Sequence, residues 1–262
     1  MSSAMHVCEG LTERFRIGSV PYLNAVPLTH ALGSGVTLLP PSRLADELHA
    51  NRLDAALVSV TESLLFPGYR VVDGVGIVSH GEVASVILAH RPALEAVDRV
   101  FVDPASRTSV ELMRMLLAAR GIHPRFEALG AYSDAVFRDA VLLIGNAAIA
   151  FRRSGPPHTL WDLGSAWKEL TELPFVYAVW AVREDVAEPA LADGLRAAAA
   201  AGMAALPELV ATRSEYDRAF RQAYLGGHIR YVVGDREKAG LAHFAALLGQ
   251  YGGRPAVTVR WF

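Results

Sequence analysis

The sequence predicts an α/β protein of two lobes, each built on a parallel sheet with helices on its faces. Three observations carry that prediction. Short apolar runs alternate with helix-like segments through two successive β-α-β series, over residues 15–58 and 100–146. Long helical patterns return at the end of the chain, after both series. Two apolar runs, 83–89 and 175–181, bracket the second series and read as crossover strands, one out and one back. At 262 residues, 52% of them hydrophobic, the chain can fill one large core or two smaller ones.

Phe15 and Ile17 begin a first strand that enters Gly18-Ser19-Val20-Pro21-Tyr22-Leu23-Asn24, after which Pro27, Leu28, Ala31 and Leu32 keep a helical spacing. Val36-Thr37-Leu38-Leu39 reads as a second strand, stopped by Pro40-Pro41. Ser42 is the expected N-cap of a helix whose Leu44 and Leu48 share a face, and Asn51 suits a left-handed C-cap. Leu53 to Val58 is a buried third strand, and Tyr69 to Ile77 is strand material interrupted by Gly74 and Gly76. In the second series, Val100-Phe101-Val102, Phe126 to Leu129 and Asp139 to Asn146 are strands. Between the first two of these, a helix runs from about Ser106 to Gly121. Asp162-Leu163-Gly164-Ser165 introduces a short helix around Trp167, and 175–181 is the last long strand. The rest reads as helices over 187–204, 207–224 and 235–248. Residues 1–84 with 182–262 should form one lobe and 85–181 the other. This architecture points to a bilobal, type II periplasmic-binding-protein-like fold with a ligand cleft between lobes, a favoured place for small molecules.

Composition narrows the function classes. Lys and Arg number 25 against 27 Asp and Glu, interspersed, so the basic footprint of a nucleic-acid binder is missing. No apolar run reaches the roughly 18 residues of a membrane span. Met1 to Arg14 lacks an apolar core and carries Glu9 and Glu13, unlike a secretory signal, so a cytoplasmic location is the default expectation. A single cysteine, Cys8, leaves no disulfide framework, and nine scattered histidines form no H-E-x-x-H pair. Gly74-Val75-Gly76 and Gly226-Gly227 read as turns.

Polar residues gather instead at strand-to-helix junctions, where carbonyl-end loops meet helix N-termini and ligands bind in open α/β sheets. The first lobe offers Ser19, Tyr22 and Asn24, then Ser59 and Thr61; the second offers Ser106, Thr108 and Ser109, then Gly145 and Asn146. Thr108 to Glu111 fits a capping box, and the neighbouring serines and free amides could hold a carboxylate beside it. Arg107 is the obvious cation, although it could equally face solvent. Tyr177 fits either core or cleft. Glu62, at a strand end, is expected to be solvated or capping unless it turns inward. Such a cleft suits a small carboxylate-bearing molecule.

These stretches, in this order, resemble the chorismate dehydratases of the futalosine route to menaquinone. The resemblance starts at Gly18-Ser19-Val20-Pro21-Tyr22-Leu23-Asn24…Pro27-Leu28 and continues through Pro41-Ser42-Arg43-Leu44 and Leu53 to Ser59. It resumes at Ser85-Val86-Ile87-Leu88, Ser106 to Ser109, Leu142-Leu143-Ile144-Gly145, Asp162-Leu163-Gly164 with Trp167, and Leu173 to Ala181. The Ser-Pro-Cys-Pro-Asn-Asp pattern of the sister enzyme is absent. Asn146 stands where the family usually has Asp, and Asn51 where Gly is usual.

The resemblance implies a carbon–oxygen lyase that removes water from chorismate without a cofactor, giving 3-[(1-carboxyvinyl)oxy]benzoate. Asn24 and Ser85 would then lie near the reacting carbons or the enolpyruvyl carboxylate. Ser19, Tyr22, Ser59, Ser106, Arg107, Thr108, Ser109, Gly145, Asn146 and Tyr177 would bind substrate. The expected partner is chorismate alone, with no nucleic acid, no membrane, and a monomer or homodimer. The competing class is a non-catalytic carboxylate-binding protein of the solute-receptor fold.

Overall fold

Strands that helices cover on both faces must be apolar on both, and the central strands here are: Ala55 to Val58 and Ala140 to Leu143 are buried without a break. The computed structural model describes residues 10–103, 106–252 and 258–262. Cys8 and most of the N-terminal segment lie outside the described residues.

The first sheet contains β1 (Ile17–Ser19), β2 (Thr37–Leu38), β3 (Ala55–Ser59), β4 (Tyr69–Ser79), β10 (Phe175–Arg183) and β11 (Arg230–Val233), in the order β11-β4-β10-β3-β1-β2. The second contains β5 (Val86–His90), β6 (Arg99–Val102), β7 (Arg125–Ala128), β8 (Ala140–Ile144) and β9 (Thr159–Asp162), in the order β7-β6-β8-β5-β9. Helices α1 (Pro41–His49), α2 (Val60–Leu65), α3 (Arg107–Ala118), α4 (Gly145–Arg153), α5 (Leu163–Thr171), α6 (Pro189–Ala204) and α7 (Asp235–Gly252) pack around them with several shorter turns.

Each lobe repeats one motif. A parallel trio, β2-β1-β3 or β7-β6-β8, is closed on its third strand by an antiparallel neighbour, β10 or β5. The sheets are therefore mixed rather than wholly parallel. The cause is connectivity: β3 and β8 run toward the cleft, whereas β5 and β10 enter their lobes from it and so run the other way.

The expected crossover strands are each contained in one sheet. The outward crossing is the segment 80–85, and the return is α5 with residues 172–174. The lobe boundary expected at 181 accordingly moves: β10 pairs with β3 and β4, so residues 175–181 join the first lobe. Asp162 clasps both crossings. Its carboxylate accepts from Val83 N at 3.1 Å and Ala84 N at 2.8 Å, and it caps α5 through Ser165 N at 3.0 Å. Gly164 is required there, because a Cβ would lie 2.3 Å from the Gly81 carbonyl oxygen.

Other local expectations also shift. Pro41 rather than Ser42 starts α1, with Pro40 at the cap position. Asn51 does take the left-handed conformation, with φ 58°. Residues 83–85 are not strand, since Asp162 takes the amides of Val83 and Ala84 and Ala84 sits at φ 63°. The Thr108–Glu111 capping box does not form; Ser106 occupies the cap position and Thr108 bonds across to Thr61. Among the described residues no helix is long and apolar enough to cross a membrane.

Candidate functional site

The ends of β3, β5 and β8, the loop after β1 and the start of α3 converge on one cleft between the lobes. Ten of the twelve residues expected there line it: Tyr22, Asn24, Ser59, Ser85, Ser106, Arg107, Thr108, Ser109, Gly145 and Tyr177. Apolar walls come from Val20, Leu57, Ile77, Val83, Val86 and Ile144. Ser19 and Asn146 do not line it. Ser19 is wholly buried behind its loop because β1 runs through Ser19 and is buried on both faces. Asn146 lies one residue into α4, where its backbone carbonyl accepts from the Tyr216 hydroxyl at 3.5 Å.

Ser85 is the most firmly held polar group. Its carbonyl accepts from Gly145 N at 2.8 Å, the amides of the two preceding residues are fixed by Asp162, and its Oγ accepts from the Tyr224 hydroxyl at 2.8 Å. Tyr22 lies across the cleft against Gly145, whose φ of 55° favours glycine and where an added Cβ would lie 3.3 Å from the Tyr22 ring, tight enough that the ring would have to shift. The register of β10 against β4 slips between Val176 and Ala178, so Tyr177 is an extra residue there, bonded through its hydroxyl to Ser79 Oγ at 3.1 Å. Bulges re-aim side chains in this way beside binding sites.

Two contacts join the lobes at the cleft floor. Thr108 Oγ1 accepts from Thr61 N at 3.1 Å and donates to Thr61 Oγ1 at 2.8 Å. Arg107 Nη1 donates to Glu62 Oε2 at 2.8 Å, and His49 Nε2 faces the other oxygen at 2.9 Å. Glu62 is therefore neither solvated nor capping: it is 1% exposed. Burial pushes its pKa up, against the charges of His49 and Arg107.

The cleft is rich in hydroxyls and amides. Among its described lining residues there is no Asp, Glu, His, Lys or Cys, and Arg107 is the sole cation. Among the described residues Asn24 Oδ1 and Ser106 Oγ are buried beside it with no hydrogen-bond partner, as are Ser19 Oγ and Asn146 Oδ1 behind it. Buried polar atoms are rarely left unpaired in folded proteins, and clustering them around one cavity marks a place for a polar ligand. Sequence reasoning missed Tyr224, which is separated from Ser85 by 139 positions. One signal pointed to it: Gly226-Gly227 belongs to a π-helical turn, Tyr224–His228, a rare element that recurs at functional sites.

A family model described as menaquinone biosynthesis matches residues 15–250, which takes in every cleft residue named above. The chain belongs to this family. A relative within reach of the same reading is the chorismate dehydratase of Thermus thermophilus, 34% identical over 89% of this chain and 94% of that one. Solved structures share the architecture. A protein from Archaeoglobus fulgidus matches with a TM-score of 0.72 at 16% identity, over 91% of this chain and 97% of that one. The alkanesulfonate-binding protein of Xanthomonas axonopodis pv. citri matches at 0.64 and 15% identity, over 92% and 94%. The fold of this family member is thus the periplasmic-binding-protein-like one, two mixed α/β lobes about a cleft.

Proposed function

We propose that the cleft dehydrates chorismate to 3-[(1-carboxyvinyl)oxy]benzoate, as a carbon–oxygen lyase. The observation that carries this reading is that the residues of the family resemblance, Asn24, Ser85 and Ser106 to Ser109, line a single cavity. Near full-length similarity to a chorismate dehydratase supports the choice of substrate.

The reaction is a 1,2-elimination. The C3–H bond breaks, its electron pair enters the ring, and the C4–O bond breaks as the hydroxyl leaves. One water departs in all, and aromatisation drives the step. The C3 proton is acidified through conjugation with the ring carboxylate, so negative charge grows on that group in the transition state. Donors aimed at it lower the barrier most. Ser106, Ser109 and the amides opening α3 supply them, with Arg107 as counter-charge. Ser59, Tyr22 and Tyr177 complete the walls, and Gly145 lets Tyr22 close on the ring.

The base is the substrate's own enolpyruvyl carboxylate, held by Asn24. The described lining residues offer no carboxylate or imidazole in its place, and positioning alone can supply a large part of the rate. Chorismate incubated with the purified chain should lose one water, followed by ultraviolet absorbance and mass. Tight binding with unchanged chorismate would instead favour the receptor-like reading.

A further inference from the structure

We propose that Tyr224 is a positioning residue for this elimination, turning the Ser85 hydroxyl so that its proton points into the cleft. The inference rests on the dehydratase reading and deepens it.

A serine hydroxyl has one proton to give and can accept on either lone pair. At Ser85 the Tyr224 hydroxyl donates to Oγ at 2.8 Å, so the serine proton must go elsewhere. Among the described residues that proton meets no acceptor, and Ser85 lines the cavity. Burial pushes the phenol pKa up, so the donor stays protonated across the working range.

Tyr224 itself is 1% exposed and stacks on Phe220 with ring centroids 5.4 Å apart. It lies outside the cavity and acts only through its neighbours. The resulting chain runs from Tyr224 to Ser85 and ends at the substrate. Ser85 then presents an O–H to the departing C4 oxygen. One phenol thereby orders the hydroxyl that faces the leaving group. The π-helical turn that begins at Tyr224 fixes the backbone from which it reaches across to the lobe crossing.

The test is Tyr224→Phe, which keeps the stacked ring and removes one oxygen. We expect kcat to fall about 10- to 100-fold, as misdirected groups cost, with KM within about twofold of wild type. In a Ser85→Ala background, read in single turnover, the same substitution should change the rate little, because its route is gone. Where the Phe variant does not fold, Tyr224→His takes its place in the same cycle. An unchanged kcat, or a loss equal in both backgrounds, overturns the proposal. Wild type run alongside separates the two readings: failure to release water rejects the dehydratase assignment, whereas an active wild type with an unaffected variant rejects only the role of Tyr224.

Discussion

At the scale of single residues, the cleft divides chemistry between an amide and a buried ion pair. Asn24 lines the cavity, whereas Glu62 does not and is engaged by Arg107 and His49. Asn24→Ala should therefore lower kcat by about 100-fold or more, the usual cost of losing a donor that orients the reacting groups. Glu62→Gln should retain kcat within about threefold and raise KM, because Arg107 loses its anchor but the base is untouched. Steady-state kinetics on both variants, with melting curves to verify folding, decide the matter. Abolished turnover in Glu62→Gln with folding and binding intact would make Glu62 the base. Asn24 and Ser85 were legible because they sit among turn formers and small residues, where a loop meets a strand end. Glu62 and Tyr224 were not, since their meaning lies in partners 45 and 139 positions away.

Among the elements, Asp54 ties three strands of the first lobe together. It accepts from Arg16 N at 2.8 Å ahead of β1 and from Arg16 Nε at 3.0 Å, and Arg183 at the end of β10 lies 3.5 Å away. Burial pushes its carboxyl up, but the Arg16 hydrogen bonds and the nearby Arg16 and Arg183 charges outweigh that and hold it below the ordinary carboxylate range. A lowered folded pKa stabilises the fold above the unfolded value, and that stability drains as pH falls through the folded one. Asp54→Asn should cost roughly 2 kcal/mol at neutral pH, within the range for hydrogen bonds to charged groups. The deficit should narrow in acid, where wild type also carries a neutral carboxyl. Denaturant melts across that range check both, and a constant deficit would contradict the assignment. Most elements were legible from period and punctuation, as with the helix behind the Asp162 cap. The missed strands, β9 and β11, are four-residue edge strands, paired on one side only. Residues 83–85 carried a strand-like pattern, but a distant carboxylate took the amides of Val83 and Ala84.

For the whole molecule, the two-lobed plan was readable because each β-α-β series repeats the same order. Which sheet a strand joins was not, because β10 owes its place to pairing with β3 and β4 rather than to its own sequence. Closure of the lobes rests in part on Thr108, and Thr108→Val would leave the buried Thr61 N–H without an acceptor, at about 1–3 kcal/mol. A larger radius of gyration and weaker chorismate binding should follow; unchanged scattering and affinity would remove that contact from the closing mechanism. The central claim, elimination across C3 and C4 in the interlobe cleft, is most directly tested with chorismate deuterated at C3, incubated with the purified chain and read by mass spectrometry. The expected result is an aromatic product, one water lighter and free of the label. Unreacted chorismate, or a product that keeps its deuterium, would contradict it.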